Sequence, residues 1–324
     1  MGSASLLLER GALVNAADDT QHTALHVAAR RSSLDAIDLL VRHHAALDAA
    51  TYDRQTPLHF AAQSGSLPVI KYLVERGANP NAVTTHHQLP YDLTTSDAMK
   101  EFLFSASLRS GDVDPIMLSV AKEGREDKVL YCLKTKPSSI EAVDHFGFTP
   151  LLCAAAKGHL GVATLLVEKG ADKEATAKYA FKPLSMAIDN GHLSVAAMLI
   201  KRGAEVNGAD EIGSTALHIA CKRGNYEAVG TLVERGAAID AVTFDKTTPL
   251  HRAAAAGSLQ IVSYLCDLGA DIEARDSHGR RPADVASGAQ GDEIKTYFSR
   301  AVIARKWGLH VESELHASTT GYEN

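Results

Sequence analysis

A segment of 33 residues repeats along the chain, and that period constrains the fold more than any other feature of the sequence. Its clearest copies are TALHVAA at Thr23, TPLHFAA at Thr56, TPLLCAA at Thr149, TALHIAC at Thr215 and TPLHRAA at Thr248. Weaker copies hold the same register: LPYDLTT at Leu89, KPLSMAI at Lys182 and RPADVAS at Arg281.

Each part of the unit has a physical reason. Thr56 caps a helix, and Pro57 takes the first helical position, where its missing N–H costs nothing. Ala61 and Ala62 let that helix lie close to its neighbour, and Gly65 breaks it so the chain can reverse. In SLPVIKYLVERGANPNAV the apolar residues Leu67, Val69, Ile70, Leu73 and Val74 recur at helical spacing, which predicts a second helix, with Gly77 as its left-handed cap. A β-turn finger follows. The same grammar recurs in HLGVATLLVEKGADKEA, HLSVAAMLIKRGAEVNG, NYEAVGTLVERGAAIDA and SLQIVSYLCDLGADIEA.

A 33-residue unit opening on Thr-Pro-Leu-His resembles the ankyrin repeat, from Leu6 to about Arg305. The resemblance implies an all-α ankyrin-repeat solenoid of about nine helix-turn-helix repeats with β-turn fingers, plus an N-terminal half repeat. One helix pair cannot bury its apolar face alone, so stability must come from neighbour stacking. The expected stack is elongated and curved, with fingers and first helices lining a concave face.

Between Leu89 and the next start near Pro115 the spacing drops to 26, and TTSDAMKEFLFSASLRSGDVD holds no full copy of the unit. A register break near residue 108 is expected. It separates a first array over 1–108 from a second over 109–307, unless one stack continues through an irregular joint. PIMLSVAKEGREDKVLYCL opens the second array with poor consensus. The opening SLLLERGALVNAAD is only the second half of a repeat, as expected of an excised fragment or of an end that a partner covers. At the other end DEIKTYFSRAVIARKW reads as an amphipathic capping helix, and 308–324 as a flexible tail.

The net charge is −6 with Lys and Arg scattered, which lacks the electrostatic footprint of a nucleic-acid binder and favours a basic partner. No apolar run approaches the roughly 20 residues of a membrane span. Cys132, Cys153, Cys221 and Cys266 lie far apart and read as reduced core thiols, and no secretory signal opens the chain. A cytoplasmic or nuclear protein, monomeric, is the expectation. Met1-Gly2-Ser3 resembles a myristoylation start, but Leu6 stands where Ser or Thr is required.

No Gly-rich phosphate loop, nucleophile elbow or paired-Cys motif occurs, so no catalytic residue, cofactor or metal is assigned. Cys153 with His145 is the nearest thing to a Cys-His pair, and a packed cysteine is the simpler reading. His26, His59, His218 and His251 fill the repeat's fixed slot, where the resemblance implies structural hydrogen bonds. His43-His44 and His86-His87 are adjacent pairs, which do not share one helix face as zinc ligands four apart would.

The resemblance also implies contact positions at the finger tips and at the exposed end of the first helix. In the second array these carry Phe146, Phe148, Tyr179, Phe181, Ile212 and Phe244, with Asp189, Asn190, Lys222 and Arg223 beside them. Four of the chain's eight Phe fall on these fingers, and exposed aromatics on rigid turns make interface anchors. The corresponding first-array set is His22, Arg30, Arg31, Tyr52, Asp53, Gln55, Gln63, His86 and His87. Asn15, Asn81 and Asn207 hold the position that an asparaginyl hydroxylase modifies in ankyrin proteins; Asp48, Asp240, Glu174 and Glu273 hold it in other repeats, which favours a turn preference instead. The expected function is a non-catalytic scaffold that binds a protein through the concave face of the second array. The alternative is a regulatory or targeting segment of a larger enzyme, channel or pathogen effector.

Overall fold

A computed structural model describes residues 2–288 and 290–307. The tail expected over 308–324 lies outside the described residues. Among those described there are seventeen α-helices and no strand, and two isolated bridges, Ala17 with Thr23 and Ala209 with Thr215, close single loops. The chain divides into two compact units, Met1–Cys153 and Ala154–Asn324.

The first unit holds α1 (Gly2–Glu9), α2 (Ala24–Arg30), α3 (Leu34–Arg42), α4 (Pro57–Ser64), α5 (Leu67–Glu75), α6 (Asp97–Arg109), α7 (Asp114–Glu123) and α8 (Glu126–Thr135). α9 (Pro150–Lys157) runs across the division. The second unit holds α10 (Leu160–Glu168), α11 (Pro183–Asp189), α12 (Leu193–Lys201), α13 (Ala216–Lys222), α14 (Tyr226–Glu234), α15 (Pro249–Ala256), α16 (Leu259–Asp267) and α17 (Gly291–Trp307).

Within the first unit α2 packs on α3 and α4, and α4 on α5; within the second, α11, α13 and α15 form a row backed by α12, α14 and α16. Leu25, Ile37, Leu58, Ile70 and Leu73 are fully buried in the first unit, as are Leu199, Leu232, Leu250 and Leu265 in the second. Burying each such side chain contributes about 1.5–3 kcal/mol. Ala29 and Ala61 at 0% exposure mark where first helices approach too closely for a larger side chain. α17 closes the second unit by burying Ile294, Phe298 and Ala301, one turn apart, against α15 and α16.

The histidine slot joins neighbouring repeats. In α4, Nδ1 of His59 accepts the N–H of Thr56 at 3.0 Å, and its Nε2–H donates to the carbonyl of Gln88 at 3.2 Å in the following repeat. His26, His218 and His251 do the same, reaching the carbonyls of Gln55, Thr247 and Arg280. The repeat opening at Lys182 departs from this: Ser185 replaces the histidine, and its hydroxyl bonds locally, accepting the Lys182 N–H and donating to the Lys182 carbonyl.

Where the spacing shortens, PYDL forms a single 3₁₀ turn (Pro90–Leu93), and residue 108 lies inside the long helix α6. Tyr91, fully buried, donates its hydroxyl to Glu123 at 2.6 Å, and Lys100 pairs with the same carboxylate. Lys128, also buried, donates to the Tyr91 hydroxyl and pairs with Glu101 at 3.0 Å, its ammonium lying over the rings of Tyr91 and Phe104. Charged side chains thus gather at the joint where the finger between α6 and α7 is missing.

Candidate protein-binding surface

In several fingers a side chain at the base braces the backbone of the turn. Asp144 accepts the N–H groups of Phe146 and Phe148, each at 2.9 Å. Asp210 accepts those of Ile212 and Ser214, and Asp276 those of His278 and Arg280. Thr84 and Thr243 do this with a hydroxyl. These are turns in which a short polar side chain replaces a backbone partner, so Asp or Thr at that position is what the loop needs. Fingers also bond to one another: in the second unit Phe244 N–H donates to Ile212 carbonyl at 2.9 Å, and Ser277 N–H to Asp245 carbonyl at 2.8 Å.

Three apolar tips of the second unit stand in solvent, Tyr179 at 69% exposure, Ile212 at 56% and Phe244 at 80%. Phe181 is half-buried and meets Tyr179 edge-on at 6.5 Å. The base of the finger carrying them is Ala177, which offers no side-chain acceptor, and Tyr179 (φ 65°) and Ala180 (φ 55°) both adopt left-handed backbone, which costs a residue with a side chain about 1–2 kcal/mol. Among the helix-end residues, Arg223 pairs with Asp189 at 2.8 Å, and Asn190 turns its amide back onto the Met186 carbonyl. Lys222 is exposed. Val242, 58% exposed, and Arg252, half-buried on α15, lie outside the contact positions that the resemblance implies. Arg252 could have been noticed because it breaks an otherwise apolar slot.

The first unit holds Phe146 and Phe148. Phe146, 39% exposed, packs against His145 and His87, and Phe148 is half-buried. His22 leans on Phe60, while Tyr52 stands 70% exposed. A groove of about 660 Å³ opens between α6 and α8, lined by Glu101, Phe104, Leu108, Arg109, Lys128 and Tyr131.

The asparagine position bridges repeats. Oδ1 of Asn207 accepts Ala238 N–H at 2.8 Å and its Nδ2 donates to Gly236 carbonyl; Asn15 does likewise with Ala46 and His44. Asp48, Glu174 and Asp240 keep the acceptor half of that bond. Asn207 and Asn15 are exposed, whereas Asn81 is buried and donates to Ser110 and to the Asp112 carbonyl.

Burial pushes the thiol of Cys132 up to about 12 and raises that of Cys221, so neither supplies thiolate near neutrality. Cys153 is buried as well. Among the described residues no three His, Cys, Asp or Glu side chains converge as a metal site would require, and no helix is long and apolar enough to cross a membrane.

The family model described as ankyrin repeats (3 copies) matches residues 2–84, 116–210 and 184–276, most of the chain. No curated protein matches it significantly.

Proposed function

Because the chain belongs to the ankyrin-repeat family, whose repeats are generally protein–protein interaction modules, we propose that it is a non-catalytic scaffold that holds a partner protein on the finger and first-helix face of its second unit. The observation that carries this reading is the exposure of Tyr179, Ile212 and Phe244 on three successive fingers, two of them joined by a backbone hydrogen bond. Large apolar side chains on a preorganised frame lose little entropy on binding and become the anchors of an interface. Such a contact would bury about 800 Å² on each partner. Lys222, Arg223, Asp189 and Asn190 supply its polar border. The family is typically non-catalytic, and the raised thiol pKa values at Cys132 and Cys221 fit that reading. A reducing compartment, cytoplasm or nucleus, suits thiols so buried.

The test is affinity purification with the intact chain and with a Tyr179→Ala/Phe244→Ala variant, compared by mass spectrometry. A protein retained by the first and reduced more than tenfold on the second identifies the partner and locates its site. Equal recovery of every partner on both would rule out this face.

A further inference from the structure

The finger before the joint and the finger after it, both in the first unit, meet through side chains. The rings of His87 and His145 stack with centroids 3.4 Å apart, and Phe146 closes the cluster edge-on to His87 at 5.1 Å. Other finger pairs add a backbone bond, as Thr85 N–H does to the Asp53 carbonyl at 2.9 Å and Phe244 N–H to that of Ile212. Among the described residues no backbone hydrogen bond joins the 84–88 and 144–148 fingers. Each finger is braced within itself, one by the Thr84 hydroxyl and the other by the Asp144 carboxylate. The contact between them can therefore part without either turn unfolding.

Two neutral imidazoles stack without an electrostatic penalty, and a single proton leaves one charge beside a neutral ring. A second proton sets two like charges face to face. The groups around the pair do not neutralise it. His86 shares the finger of His87, Lys122 lies on α7, and Asp144 stands at the base of the following finger. The preceding finger carries Asp53 and Arg54, both exposed and of opposite sign. With both rings charged, Lys122 offsets Asp144 and Arg54 offsets Asp53, which leaves the stacked cations in excess.

The pH interval for such a change is open. Burial first, and then the charge of His145, hold His87 below the ordinary 6.5, whereas burial keeps the slot imidazole of His59 neutral down to about 4. Between those values the finger contact can be lost while the histidine bond from α4 to the next repeat persists.

We propose that His87 and His145 form an acid-sensitive latch at the joint, closed while at least one ring is neutral and released when both carry protons, so that the 144–148 finger swings free and Phe146 is uncovered while the helices stay packed. The latch belongs to the first unit and is independent of the binding face on the second.

Nuclear Overhauser contacts between the rings of His87 and Phe146, read in the full chain near pH 7 and near pH 5, test this. They are expected to weaken more than about fivefold at the lower pH while the far-ultraviolet circular dichroism stays unchanged. His145→Phe keeps a ring for its neighbours to pack on and takes no proton, so the contact should survive acid in that variant. His145→Gln, also uncharged, replaces it if the added bulk lowers the melting temperature. A contact that survives acid in the unaltered chain, that is absent at neutral pH, that is lost equally in the uncharged variants, or that vanishes only together with the helical signal would overturn the latch.

Discussion

The imidazole rings of His87 and His145 lie face to face, centroids 3.4 Å apart and planes within 20°, although a whole shortened repeat separates them in sequence. The segment between α6 and α7 is too short to form a finger, so the finger before the joint meets the one after it. Phe146 completes the cluster, edge-on to His87 at 5.1 Å. Burial depresses the pKa of His87, and the nearby charges of His145, Lys122 and His86 add to that, against the opposing pull of Asp144. With the folded value below the ordinary 6.5, the contact contributes stability above that pH and loses it as pH falls. Proton NMR titration should show His87 titrating below 6.5 in the native chain and closer to it in His145→Ala. An unchanged midpoint would mean that the stack does not set its protonation.

The slot histidines predict a broader acid sensitivity. Burial depresses His26 and His218, and holds His59 down to about 4. These groups stay neutral while the unfolded chain takes up protons, so stability is complete above about 6.5 and declines toward 4. Each such histidine steepens the decline by about 1.4 kcal/mol per pH unit. His59→Ser, the change that the repeat at Lys182 carries naturally, should cost about 2–4 kcal/mol at pH 7 by leaving a cavity and an unpaired Gln88 carbonyl. It should also flatten the pH profile. Urea denaturation at pH 7 and pH 5 measures both effects.

The helix pairs were legible because their determinants are either local or one repeat away. Pro57 and Gly65 bracket α4 within eight residues of helix, and the apolar spacing of Val69, Ile70 and Leu73 marks the buried side of α5. The joint was not legible: Lys100 meets Glu123 and Lys128 meets Tyr91 at separations of 23 and 37, which belong to no repeat register, and Glu101 joins them. Nor could a periodic reading anticipate that a missing finger would bring His87 onto His145. Within the site, the fixed finger positions pointed to Tyr179, Ile212 and Phe244, whereas Arg252 hid in a slot that is apolar in its neighbours.

The finger over 177–181 should respond to repair. Asp276 is buried at the base of its own finger and accepts two backbone N–H groups there, so the equivalent Ala177 position can hold a carboxylate. Ala177→Asp combined with Ala180→Gly would add that anchor and relieve one left-handed alanine, for a gain of about 1 kcal/mol after the entropic cost of glycine. Expected readouts are a higher melting temperature and slower amide exchange at Tyr179 and Phe181. A lower melting temperature would show that the finger is already at its best geometry.

At the joint, the hydroxyl of Tyr91 and the charge of Lys128 make opposite predictions. Burial and the Glu123 acceptor raise the Tyr91 pKa, so the phenol stays protonated and donates. Tyr91→Phe removes that donor and the oxygen that Lys128 bonds, leaving a partly buried carboxylate and a buried ammonium short of one partner each, at a cost of about 2–3 kcal/mol. Lys128→Met keeps the stem that packs against Phe104 while removing an ammonium only 4% exposed; its partner Glu101, 58% exposed, returns to water at little cost. That exchange should be neutral within about 1 kcal/mol, because desolvating the cation offsets most of what its ion pair contributes. Urea denaturation of the two variants orders the effects. If Lys128→Met proves the more damaging, the ion pair and the ring contacts outweigh desolvation, and the charge itself holds the joint together.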